Sequence, residues 1–126
     1  MTKTKGKKNK TREERISMEI IVDAYGPEEQ AMGWFYYLEE KLQFPFTAIC
    51  RAKRPISPLH VDDEVEVLGM PPENECEREM FVTICWEKDG LAVPLFQLTP
   101  IRSTDQETIQ AIEDWHYWVE MGYEFG

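Results

Sequence analysis

Residues 61–98 read VDDEVEVLGMPPENECEREMFVTICWEKDGLAVPLFQL, and this stretch decides the fold. Glu64 to Leu68 alternates charge with branched apolar residues, the period-two pattern of a half-buried strand. Met80 to Trp86 is nearly continuous in apolar and β-branched residues, which predicts a strand covered on both faces. Leu91 to Leu98 follows Lys88-Asp89-Gly90, and Asp-Gly is a hairpin signal because glycine supplies positive φ. Pro94 has no N–H for a ladder, so this run should be an edge strand or carry a bulge. Gly69 to Glu77 is a connector with two prolines at its start and acids at its end. One long connector and one tight turn in a meander of short strands predict a small SH3-like antiparallel barrel that needs helices as cover.

Outward from that stretch, Phe44 to Cys50 reads as the first strand, with Phe44, Phe46, Ala48 and Cys50 on one face. Two helices precede it. The first is expected over 11–24, with Thr11 and Glu14 at capping-box spacing and Ile16, Ile20 and Ala24 in one stripe. Gly26 and Pro27 separate it from the second, which should run to about Leu42 and bury Ala31, Trp34, Phe35, Leu38 and Leu42. A last helix is expected from Ser103 or Thr104 to about Met121, with Ile109, Ile112, His116, Val119 and Tyr123 on one stripe and Trp115 and Trp118 beside it. The fold class is therefore α+β: a small barrel flanked by two N-terminal helices and one C-terminal helix.

Length suits one domain, 12–126, after a disordered basic tail over 1–11. Charge is segregated. Residues 1–15 carry seven Lys or Arg against Glu13 and Glu14; residues 16–126 carry seven basic and 22 acidic residues, a net of −15. Such a body should repel nucleic acid, leaving only the tail to meet it, and should attract cations. No stretch approaches the roughly 18 apolar residues of a membrane span, and the N-terminus lacks the apolar segment of a secretory signal. The expectation is a cytoplasmic protein, and the odd cysteines Cys50, Cys76 and Cys85 fit reduced thiols.

EF-hand loops, P-loops, dinucleotide fingerprints and HExxH are all absent. Cysteine and histidine lack the short paired spacing of a zinc site. Cys50 and Cys85 read as small core residues and His116 as a satisfied histidine on an apolar face, so no catalytic group is expected. What remains is carboxylate. Asp62, Asp63 and Glu64 open one strand, and an antiparallel return should bring Asp89 beside them. Glu73, Glu75 and Glu77 lie in the connector; if it is extended, its odd-numbered acids point the same way. Like charges held together favour a cation, and Ca²⁺, taking about six to eight oxygens in flexible geometry, suits them better than Mg²⁺. The competing account is a charged, solvated surface.

Several segments together resemble one family: EIIVDAYGPEEQAMGW at 19–34, FPF at 44–46, SPL at 57–59, EVEV at 64–67, LAVPL at 91–95 and AIEDWHYW at 111–118. In this order they are similar to the calcium-binding protein family first defined in cyanobacteria. The resemblance spans about residue 12 to the C-terminus. It implies a small acidic cytoplasmic protein that buffers or senses Ca²⁺ without EF-hands. The alternative reading is a protein–protein interaction module that uses the barrel surface without any ion.

Overall fold

The computed structural model describes residues 8–125. Residues 1–7, most of the expected tail, lie outside that range, whereas Lys10 and Thr11 belong to the first helix. The order is α1 (Lys10–Arg15), a π-helical turn (Ile16–Ile20), α2 (Pro27–Lys41), β1 (Phe46–Cys50), β2 (Glu64–Gly69), a 3-10 turn (Glu73–Cys76), β3 (Phe81–Ile84), β4 (Leu91–Pro94), a second 3-10 turn (Leu95–Gln97), β5 (Leu98–Pro100) and α3 (Gln106–Glu120).

The strands form one antiparallel sheet in the order β4-β3-β2-β1-β5. Alternation in β2 works as the sequence requires: Val65 and Val67 are buried while Glu64, Glu66 and Leu68 face out. The Asp-Gly turn closes with Gly90 N–H donating to Trp86 O at 3.0 Å and Gly90 at φ 81°. Pro94 ends β4, an edge strand, so its missing N–H leaves no ladder partner unserved. The run 91–98 is thus two strands hinged by a 3-10 turn, and the second crosses back to pair with β1. The sheet is open: no ladder joins β4 to β5 among the described residues, so closure into a barrel is not seen.

The first helix departs from expectation. Asn9, not Thr11, caps it, with Oδ1 accepting from Arg12 N–H at 2.9 Å. It then widens to π geometry, Ile21 N–H donating to Ile16 O at 2.9 Å. Ile16 and Ile20 are buried against α2 at Gly33, where any Cβ would overlap the Ile20 carbonyl oxygen. The last helix is capped by Asp105, whose side chain accepts from Thr108 N–H, rather than by Ser103 or Thr104. Its buried face is centred on Ala111, Ile112, Trp115 and Trp118, so the expected stripe is rotated toward the tryptophans. Trp34 of α2 meets Trp115 edge-on, with centroids 5.0 Å apart. Cys50 and Cys76 are buried; Cys85, expected in the core, is exposed because it lies just beyond β3.

A polar knot ties the chain's beginning to its end. Asp114 on α3 is fully buried and accepts from Arg12 Nη1 (2.8 Å), Arg15 Nε and Nη2 (both 2.9 Å) and the Tyr37 hydroxyl (2.8 Å). The carboxylate raises the pKa of Arg15, and burial followed by the same carboxylate raises that of the Tyr37 hydroxyl. Buried charge persists only when paired and hydrogen-bonded, and Asp114 meets that condition.

Candidate metal centre

The first acidic group sits at the start of β2. Asp63 N–H donates to His60 O at 3.0 Å, and His60 N–H donates to Asp63 Oδ2 at 2.8 Å. Asp62 occupies the left-handed region at φ 78°, which a short polar side chain tolerates better than most. The turn is stitched to the end of β1: Asp62 N–H donates to Cys50 O, and Cys50 N–H to Asp63 O, each at 2.8 Å. Asp62 and Glu64 are exposed, while Asp63 is partly covered and half-engaged by the His60 backbone. Asp89 lies in the β3–β4 turn, lining a separate hollow with Glu87 and Lys88. The antiparallel return exists, with Cys85 N–H donating to Glu66 O at 2.9 Å. It does not gather Asp62, Asp63, Glu64 and Asp89 into one ligand cluster among the described residues.

The second group is rearranged by its backbone. The connector is a 3-10 turn over Glu73–Cys76, not an extended segment. With about three residues per turn, acids two apart point in different directions, so Glu73, Glu75 and Glu77 do not share a face. Cys76 is the buried anchor of the turn; desolvation pushes its thiol up to about 11. Glu73 and Glu77, without Glu75, line a hollow of about 210 Å³ with Asn74, Ala31, Met32 and Glu28. Glu28 is supplied by the first turn of α2, which Pro27 opens and Glu29 secures by accepting from Gly26 N–H and Tyr25 N–H. Sequence reading missed Glu28 because nothing local links the start of α2 to a connector some 45 residues later. Tyr36, on the same helix, donates its hydroxyl to Glu73 Oε2 at 2.8 Å, and that carboxylate raises the tyrosine's pKa.

The donor chemistry of the hollow, three carboxylates and one carboxamide, is that of an oxygen-seeking cation. The side chains are not drawn into a closed ligand sphere: no three acids, histidines or cysteines are grouped closely enough among the described residues. Outside the acidic groups, His116 and the basic cluster are occupied, whereas Cys85 is a free, exposed thiol. His116 faces the Leu95 carbonyl at 3.4 Å and the edge of Phe96; desolvation, then the Arg51 charge, lowers it to about 4, so it is neutral at pH 7. The basic cluster is satisfied locally, Arg54 gripping Glu79 with two bonds of 3.1 Å and Arg51 lying 4.3 Å over the Phe96 ring.

Residues 14–119 match a family model described as calcium binding, that of CcbP. The chain belongs to the CcbP family of calcium-binding proteins. Among solved structures, the crystal structure of Anabaena CcbP is 41% identical, covers 95% of this chain and 98% of its own, and superposes with a TM-score of 0.84. A second solved structure, a "calcium binding protein in the calcium-binding form", is also 41% identical, with 94% and 96% coverage and a TM-score of 0.82. A comparison with functionally curated proteins found no match. Ca²⁺ is the ion of the CcbP family, and the resemblance seen in the segments between residues 19 and 118 is one of family membership.

Proposed function

We propose that this chain is a cytoplasmic, non-catalytic Ca²⁺ buffer or sensor that holds its ion with carboxylate oxygens and no EF-hand loop. The observation that carries the reading is the 41% identical relative described in a calcium-binding form, which is matched along 94% of this chain. The acidic composition and the oxygen-lined hollow support it. Glu28, Glu73, Glu77 and Asn74 form the candidate site with the most donors about one cavity. Asp62, Asp63 and Glu64 are the second candidate, which Asp89 would join only by moving from its separate hollow, and Glu75 is a peripheral acid of the first. Exposed acids must swing inward to complete a sphere of about six to eight oxygens, and backbone carbonyls and water would supply the remainder. The return of β5 to β1 after a 3-10 turn supports an SH3-like reading of this open sheet.

Calorimetric titration of the full chain with Ca²⁺, in about 0.15 M salt to screen diffuse attraction, tests the reading. Saturable binding is expected, with Mg²⁺ much weaker because it demands a tighter octahedron. Two variant sets locate the site: Glu28→Gln with Glu73→Gln and Glu77→Gln, and Asp62→Asn with Asp63→Asn. One set should weaken binding by about tenfold or more, the loss of one or more charged ligands. No saturable heat up to about millimolar Ca²⁺, the weak end of natural sites, would refute the proposal.

A further inference from the structure

At the C-terminal end of α3 lies a different cavity, of about 460 Å³. It owes its walls to a chain reversal. Gly122, at φ 84°, donates its N–H to Val119 O, and Tyr123 N–H donates to Trp118 O at 3.2 Å. The reversal lays Tyr123 against Trp118 with centroids 5.0 Å apart. Phe125 comes to 6.4 Å from Trp118 and 6.0 Å from Trp115. The Tyr123 hydroxyl donates to Glu13 Oε2 at 2.8 Å, which fixes the ring from the α1 side.

The rest of the lining is charged. Glu77, Glu79 and Glu124 contribute three carboxylates against the guanidinium of Arg78. Glu79 is already held by Arg54, whereas no ion pair among the described residues engages the exposed Glu77 or Glu124. Aromatic faces attract cations through their quadrupoles, and neighbouring carboxylates add ordinary Coulomb attraction. An anion would be repelled. A neutral apolar guest would strip water from Glu77 or Glu124 without compensation. A bare divalent ion gains little from rings, because it seeks oxygen. The volume falls within the range of about 300–1,000 Å³ found for small-molecule sites.

We propose that this cavity binds an alkylammonium group, carried either by a free small organic cation or by a lysine side chain. The cavity shares Glu77 with the candidate calcium hollow, but its rings, Glu79 and Glu124 lie outside that hollow, and the proposal does not depend on the calcium reading.

The test uses the full chain in about 0.15 M NaCl with chelator present, so that diffuse attraction is screened. Choline and N-acetyl-lysine methylamide are titrated and followed by proton NMR, with 3,3-dimethylbutan-1-ol as the uncharged isostere of choline. Ring currents should move the N-methyl or ε-methylene resonances upfield with saturation. The charged guest should bind about tenfold more tightly than the isostere, the effect of a partly desolvated cation–π contact. Tighter choline binding assigns a free cation; tighter binding of the lysine derivative assigns a side chain. Glu124→Gln and Phe125→Leu, at an exposed acid and a partly covered ring near the chain's end, should each weaken the charged guest by about threefold or more. The proposal falls if neither cation saturates by about 10 mM, a sub-fragment affinity. It also falls if the isostere binds as well as choline, or if both variants bind unchanged with native circular dichroism.

Discussion

Asp114 shows how one residue can hold separate parts of the chain in register. Its two oxygens serve Arg12, Arg15 and Tyr37 inside a fully buried site. Removing the acid leaves two guanidinium groups facing a low-dielectric pocket. Asp114→Ala is therefore expected to cost about 3–5 kcal/mol in urea unfolding, well above a surface carboxylate such as Glu113. His116 carries a pH dependence of defined sign. Its ordinary pKa of 6.5 falls to about 4 in the fold, so the unfolded chain takes up a proton that the folded chain refuses. The stability it contributes is complete above about 6.5 and is lost as pH falls toward 4, by on the order of 3 kcal/mol. His116→Gln should flatten that part of the stability–pH curve; parallel curves for the two proteins would show that His116 does not titrate in this way. The histidine was legible in the sequence as a residue satisfied on an apolar face. The Asp114 knot was not, because its partners lie about a hundred residues away and no local period announces them.

At the scale of elements, the π-helical turn and α2 fit together through Gly33. Glycine inside a helix costs about 1 kcal/mol relative to alanine, so propensity alone favours Gly33→Ala. The backbone of Ile20 occupies the space that a methyl group would need. The substitution is expected to destabilise by about 1–3 kcal/mol, in the manner of an overpacked core, and to expose Ile16 and Ile20. Hydrogen exchange at Ile21 N–H, which donates across the π turn, would report the displacement directly. The strands were readable because alternation and the Asp-Gly turn are properties of neighbouring residues. The change from α to π geometry at Ile16 was not, since the side-chain stripe is nearly the same in both and only the hydrogen-bond register differs. The acidic connector was legible as chemistry but not as shape. Burial of Cys76 winds it into a 3-10 turn, which divides Glu75 from Glu73 and Glu77 and brings the latter pair beside Glu28.

For the whole molecule, the formal charge of −10 sets how a cation is received. A ligand that binds only the folded state stabilises it, by about 2.7 kcal/mol at a hundred times its dissociation constant. Ca²⁺ at that level should raise the melting temperature by about 10 °C for a chain of this length. Raising NaCl from about 0.05 to 0.5 M should shrink the shift by weakening Ca²⁺ affinity, because counterions screen the diffuse part of the attraction. A melting temperature that ignores Ca²⁺ at both salt concentrations would contradict a folded-state site. The outer edge of β1 has a further consequence, for synthesis. Its partner, β5, begins only at Leu98, and the acid that receives Arg12 and Arg15 is residue 114. At about 5–20 residues per second, a ribosome leaves those groups waiting for several seconds. Vectorial emergence thus delivers the N-terminal half as an unfinished surface, with an open strand edge and two unclaimed arginines. Folding must wait for nearly the last helix, and until then the nascent chain is a client for whatever shields it.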